Sequence, residues 1–364
     1  MRIEGKYTQS IWYDPELDTV KIVDQTRLPH DLVLLDLESL QDACMAIASM
    51  QVRGAPLIGV TAAYGVYLGL REEAAGLESI IQQLATTRPT AVNLSWALNR
   101  CRQVLQEYTG DERVLKALEL AQILEKEDIA VCEGIGDQGA NLLEALWEQK
   151  QEGQDRLNVL THCNAGSLAT VDWGTALAVI YKAADRGIPV HVWVDETRPR
   201  NQGAAITCWE LAQQGIPHTL IVDNAGGHLM QHGQVDAVLV GADRTTARGD
   251  VCNKIGTYLK ALAARDNDIP FYVAFPLSTF DLSIEDGLNE IPIEERNAGE
   301  ILQVSGLTDE GAAATVNIAP ANTRASNYGF DVTPARLVSR LITEVGVCEA
   351  TPEAIAVLVG NRGG

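Results

Sequence analysis

Residues 157–195 read LNVLTHCNAGSLATVDWGTALAVIYKAADRGIPVHVWVD, and this stretch decides the fold. The apolar, β-prone run Leu157–Thr161 stops at Thr161-His162-Cys163-Asn164-Ala165-Gly166. Residues 172–187, DWGTALAVIYKAADRG, then place apolar side chains at helical spacing, and a second apolar run, PVHVWV, starts at residue 189. Strand, helix and strand with continuously apolar strands predict a parallel sheet covered on both faces. The alternation goes on through AAITCWELAQQG (204–215), HTLIV (218–222), DAVLV (236–240) and PFYVAF (270–275). This half of the chain therefore reads as a Rossmann-like domain.

Upstream the pattern changes. SIWYD, DTVKIVDQ and DLVLLDLES, within residues 10–39, predict a small antiparallel sheet. From residue 39 to 147 the pattern is helical. SLQDACMAIASM opens on Ser39 with Asp42 three positions later, a helix-start signature. APLIGVTAAYGVYLGL (55–70) is small and apolar on most faces, so it predicts a buried helix. Val114, Leu118, Ala121 and Leu124 repeat at helical spacing among charges. The polar stretch QKQEGQDRLN (149–158) marks a boundary. The expected class is α/β, with a sheet-and-helix N-terminal domain over 1–148 and a Rossmann-like C-terminal domain over 149–364.

The 364 residues carry a formal charge of -21 and are 46% apolar. Such a field repels a phosphate backbone, which argues against a nucleic-acid partner or a polybasic membrane-surface role. A small phosphorylated ligand needs only a few local donors. The seven cysteines are odd in number and none has CxxC spacing, so neither a disulfide framework nor a zinc ribbon is expected. A reducing cytosol is the expected compartment. The start MRIEGKYTQSIWYD lacks the apolar stretch of a secretory leader, and no apolar run reaches the roughly 18 residues that span a bilayer.

In an open α/β sheet, ligands bind outside the carboxyl ends of the strands. Five loops leave those ends here, and they bring a thiol, carboxylates and amides toward one crevice. No GxGxxG follows the first strand and no GxxxxGK[ST] occurs, so a nucleotide site is not indicated. Cys163 has two readings. It is a small buried core residue, the commonest use of cysteine, or it is a nucleophile or acid–base group. A helix start there would favour the thiolate, whereas apolar surroundings would keep the thiol protonated. Asp243, in GADR, emerges from an apolar strand. Its desolvation should raise its pKa and suit it to acid–base work, although a cap or a pair with Arg244 is the plainer use.

Three cations stand out. A helix start near Asn253-Lys254 would offer free N–H donors to an anion, with Lys254 adding charge. Arg53 precedes Gly54 and Ala55, which allow close approach to the backbone, and Pro56 suits a first helical turn. Arg88 sits before Pro89 at a second loop-to-helix junction. Two arginines at two helix starts in an acidic chain suggest a phosphate site shared between the domains. His162 beside Cys163 reads as structural, because neighbours along a strand point to opposite faces. The remaining histidines form no metal-ligand spacing, and Trp193 and Trp209 read as core.

The motifs QVRGAPLIGVTAAYG, TRPTAVNL, LTHCNAGSLATVDWGTAL, VWVDETRPRNQGA, VGADRTTARGDVCNKIGTYLKALAA, FYVAFPLSTFD, IPIEER and FDVTPARLV occur in this order between residues 51 and 338. Together they resemble the 5-methylthioribose-1-phosphate isomerase family of methionine salvage. Its relatives include ribose-1,5-bisphosphate isomerase and the regulatory subunits of the guanine-nucleotide exchange factor of translation initiation. The resemblance implies an aldose–ketose isomerase that assembles as a homodimer, acts on a small sugar phosphate and uses no cofactor and no metal. It implies catalysis by Cys163 and by Asp243 as proton donor. It implies substrate contacts from Arg53, Gly54, Ala55, Arg88, Gln202, Asn253 and Lys254. Two stretches depart from the family pattern, Asn297-Ala298 after IPIEER and Asn327-Tyr328-Gly329 before FDVTP. Both lie outside the implied catalytic pair. Isomerisation of another pentose phosphate and a non-catalytic binding subunit are the alternatives.

Overall fold

The structure is a computed structural model that describes residues 1–88, 92–150 and 153–360. A short hairpin, β1 (Arg2–Ile3) and β2 (Lys6–Tyr7), precedes three antiparallel strands, β3 (Ile11–Asp14), β4 (Thr19–Val23) and β5 (Leu34–Leu37). Five helices follow: α1 (Leu40–Ala48), α2 (Ala55–Glu72), α3 (Leu77–Thr87), α4 (Val92–Leu105) and α5 (Gly110–Glu148). Ser39 and Asp42 form the expected reciprocal cap at the start of α1. In α2 every residue from Leu57 to Leu70 is buried, as its small, all-round apolar sequence requires.

The second half alternates β6 (Leu157–Thr161), α6 (Ala176–Asp185), β7 (Val190–Asp195), α7 (Cys208–Gln213), β8 (His218–Ile221), α8 (Ala225–Gln231) and β9 (Ala237–Val240). Then come β10 (Arg244–Thr246), β11 (Val251–Lys254), α9 (Thr257–Asp266) and β12 (Phe271–Ala274). The strands β12, β9, β6, β7 and β8 pair in parallel in that order. Arg340–Thr343 adds a parallel strand beside β12, and Gly346–Cys348 closes that edge antiparallel. Period-2 alternation sorts the side chains between two cores. Val159 and Leu239 face α5 and α6, while Leu160, Val238 and Val240 face the opposite layer with Ala261 and Ala264 of α9.

The first core gathers β3–β5 and α1–α4 with Ala117, Leu120, Ala121 and Leu124 of α5. The rear of the same helix, with Ile135, Ala140 and Leu143, packs into the sheet core. At 1.5 Å per residue, α5 is roughly 60 Å long and belongs to both.

Several expectations are corrected. Asn253 and Lys254 do not start a helix. They end β11, which pairs antiparallel with β10 in a four-stranded sheet completed by Phe280–Asp281 and Phe330–Thr333. Buried, β-prone Val251 and Cys252 fix that strand, and Gly256 at φ 102° delays the helix to Thr257. Cys163 is not at a helix start either. A 3₁₀ turn, Ser167–Ala169, intervenes, and α6 begins only at Ala176. HTLIV is not buried throughout, because β8 is the sheet edge and Leu220 and Val222 are exposed. Trp193 and Trp209 are only partly buried at the margins of their clusters.

Candidate active site

The loops that leave β6, β7, β9 and β12 meet the first turn of α2 around a cavity of about 110 Å³. Cys163, Gln202, Asp243, Asn253 and Lys254 line it from the sheet side. Arg53, Gly54, Ala55 and Arg88 line it from the helical side. All nine residues singled out in the sequence therefore share one wall-to-wall space. Of the motif TRPTAVNL, Pro89, Thr90 and Ala91 lie outside the described residues.

Cys163, two residues past the end of β6, adopts a left-handed backbone conformation, φ 66°. Its Sγ donates to Gln202 Oε1 at 3.1 Å. Burial pushes the thiol up, while Lys254 and then Arg53 pull it back toward its ordinary value. Asp243 follows β9, and its N–H is held by the Cys252 carbonyl at 2.9 Å. Burial raises its carboxyl above the usual range. Lys254, Arg88 and Arg53 oppose that rise, and Glu294 reinforces it. Lys254 Nζ lies 4.8 Å from the centre of the Phe330 ring, and Asn253 is locked by Nδ2 donating to Thr257 Oγ1 at 3.0 Å. Arg88 Nη2 stands 3.6 Å from Glu294 Oε2. Its Nε and Nη1 are buried with no hydrogen-bond partner among the described residues.

Arg53 differs from the free anion hook its position suggested. It is 4% exposed, and its donors are engaged. Nε donates to Gln25 Oε1 at 3.1 Å, Nη1 donates to the Asn164 carbonyl at 2.9 Å, and Nη2 donates to Asn164 Oδ1. Gly54 must be glycine: φ is 95°, and a Cβ there would lie 2.3 Å from the Ala169 carbonyl oxygen.

Sequence reasoning missed the frame behind these groups. Buried Glu210 accepts from Asn164 Nδ2 (3.0 Å), Ser167 N (2.7 Å), Leu168 N (3.1 Å) and Tyr181 Oη (3.3 Å). The one acid within AAITCWELAQQG was the available signal. Gln25, in the turn after β4, left none. His162 is structural, as expected: Nδ1 bonds Asp195 Oδ2 and Nε2 bonds the Ile255 carbonyl, each at 2.8 Å. His162, Asp195 and Asp223 form a ligand-like group, but Lys260 Nζ lies 3.2 Å from Asp195 Oδ2 and donates to the Asp223 carbonyl. An ammonium thus already supplies the positive charge a metal would bring.

The model of the initiation factor 2 subunit family matches residues 51–350. The methylthioribose-1-phosphate isomerase of Methylorubrum populi is 57% identical over 364 residues, covering 100% of this chain and 99% of its own. That of Escherichia coli O45:K1 is 55% identical over 358 residues, covering 98% and 96%. The solved 5-methylthioribose 1-phosphate isomerase of Pyrococcus horikoshii superposes with a TM-score of 0.82 at 36% identity, covering 98% of this chain and 97% of that one. The structure described as translation initiation factor eIF-2B, subunit delta, from A. fulgidus gives 0.77 at 39% identity, covering 96% and 100%. The chain belongs to the initiation factor 2 subunit family, in the group that contains the methylthioribose-1-phosphate isomerases.

Proposed function

We propose that this protein converts 5-methylthioribose 1-phosphate to 5-methylthioribulose 1-phosphate in methionine salvage. The observation that carries the reading is one cavity with a thiol on one wall, a raised-pKa carboxyl on another and cations between them. Relatives of 52–57% identity named for this activity over their whole length support it.

The chemistry fits the groups. Carbon 1 carries an esterified oxygen, so the sugar cannot open to a free aldehyde. The ring oxygen must be protonated as its bond to carbon 1 breaks. Asp243, whose carboxyl burial raises above its ordinary range, gives that proton, and its carboxylate then takes the proton of the carbon 2 hydroxyl. Hydrogen passes from carbon 2 to carbon 1. The raised pKa of Cys163 keeps it a thiol, which favours direct hydride transfer over removal of a proton by a thiolate. The thiol then shapes the pocket beside Gln202. Lys254 and Arg88 hold the phosphate. Met50, Ile58, Ile291 and Phe330 give the wall apolar surface suited to a methylthio group rather than a second phosphate.

The test is to incubate the purified protein with 5-methylthioribose 1-phosphate, and separately with ribose 1,5-bisphosphate, in D₂O and follow the ketose by NMR. Methylthioribulose 1-phosphate without deuterium at carbon 1 is expected. Turnover of the bisphosphate alone overturns the substrate. Full deuterium incorporation overturns the hydride route. No turnover of either favours the binding-subunit alternative.

We further infer a cytoplasmic homodimer that has no nucleic-acid or membrane partner. The charge of -21 argues against a nucleic-acid partner, and among the described residues no helix is long and apolar enough to cross a membrane. The exposed Leu220 and Val222 at the β8 edge are candidates for the dimer contact. Light scattering that gives a monomer mass at micromolar concentration overturns the dimer.

A further inference from the structure

Left-handed backbone at non-glycine residues clusters in the loops after β6 and β7: Cys163 at φ 66°, Thr197 at φ 62° and Asn201 at φ 53°. Asparagine tolerates this region, whereas a β-branched threonine does not. Such a conformation persists only where the surroundings over-determine it, and it gathers at functional sites.

The surroundings of Thr197 do so. Asp223 accepts from Thr197 N at 2.7 Å and from Arg198 N at 2.8 Å, fixing the backbone on both sides. The Thr197 side chain is buried, and its hydroxyl is used in both senses. It donates to the Asp195 carbonyl at 3.1 Å and accepts from Cys163 N at 2.8 Å. Asp195 is anchored in turn by His162 and Lys260. On its other side, the Cys163 carbonyl accepts from Thr207 Oγ1 at 2.7 Å. Both main-chain polar groups of Cys163 are thus held by threonine hydroxyls, which leaves the thiol as the residue's polar group at the cavity.

Resting on the isomerase reading of the site, we propose that Thr197 is a positioning residue: its hydroxyl holds Cys163 in the left-handed conformation that keeps the thiol beside Gln202. Serine preserves the hydroxyl and relieves the β-branch. Valine preserves the shape, removes the hydroxyl and leaves two buried main-chain groups unpaired.

Three measurements on Thr197→Val and Thr197→Ser test the proposal: kcat, KM, and the pH profile of Cys163 alkylation by iodoacetamide, quantified on the Cys163 peptide by mass spectrometry. In Thr197→Val, kcat is expected to fall at least tenfold with KM within about threefold of wild type. The alkylation midpoint should drop toward the ordinary thiol range as the loop relaxes and the thiol leaves its buried place. Thr197→Ser should restore both readouts. A folded Thr197→Val whose turnover and alkylation profile match wild type overturns the proposal. So does a Thr197→Ser as impaired as the valine variant. Should Thr197→Val not fold, the smaller Thr197→Ala carries the same readouts. The alkylation comparison needs no turnover, so a wild-type protein inactive on both sugar phosphates would sink the isomerase reading while still testing the clamp.

Discussion

Asp243 and Cys163, the proposed acid and the proposed thiol, are tuned by the same neighbours. Burial raises both, and Lys254 is the largest opposing charge on each. Asp243→Asn should lower kcat by about 10²–10⁴-fold, and Cys163→Ala, which empties the place beside Gln202, should also lower kcat, each with an unchanged melting temperature. Wild-type turnover in either variant removes that residue from the chemistry. If Asp243 acts as an acid, kcat/KM must fall as pH rises through its raised pKa. Lys254→Met removes the strongest downward pull, so that limb should move to higher pH while KM rises roughly 10–100-fold. A limb that stays put or moves down would contradict the assignment. Arg53 behaves differently from a simple phosphate hook. Its guanidinium ties Gln25 to the Asn164 loop, so Arg53→Ala, which leaves those buried acceptors unpaired, should cost about 1–3 kcal/mol of stability and reduce kcat as well as affinity. A rise in KM alone, with an unchanged melting temperature, would show that its role is binding only.

Helix contacts set how the two cores join. In α5, Gly136 and Gly139 lie against α6, and a Cβ on Gly139 would come within 2.3 Å of a Val179 methyl. Valine is stiff at χ1 and cannot swing away. Gly139→Ala gains about 1 kcal/mol of helix propensity but overpacks the contact by about 1–3 kcal/mol, so a net loss of melting temperature is expected. Val179→Ala in the same chain should recover part of that loss. A more stable Gly139→Ala would mean the helices separate freely. Gly54 makes the parallel case at the α2 start. There the clash is with backbone, and substitution should take both the fold of the turn and the activity with it.

At the scale of the whole molecule, the middle of α5 carries a carboxylic acid toward the seam between the cores. Asp128 accepts from Val171 N at 2.7 Å, and burial pushes its pKa up to about 7. Its neighbours are Asp172, which raises it further, Cys132 and Glu127 on its own helix, and Arg100 and Glu344 around the adjacent cavity. Between the ordinary aspartate value and 7 the folded state binds more protons than the unfolded one. Its stabilising effect is therefore complete at low pH and is lost as pH rises through 7. Wild-type melting temperature should fall from pH 6 to 8 by more than that of Asp128→Asn, which keeps the acceptor without the charge. Parallel curves would refute the shift. Taken by itself, the sequence determined the α/β class, the parallel run of strands, the buried α2 and the strand-end residues Cys163 and Asp243 that reach the cavity, while the resemblance to the isomerase family pointed to Gln202. Periodicity and strand-end chemistry are local properties, and each strand end must open on the same edge of a parallel sheet. Only the tertiary structure decided that Lys254 ends a strand, that Cys163 lacks a helix dipole, that Arg53 is engaged with Asn164, and that Glu210, Thr197 and Gln25 brace the site. Those facts depend on which distant groups meet in a dry interior, where every buried donor must find an acceptor, and no spacing along the chain encodes that pairing.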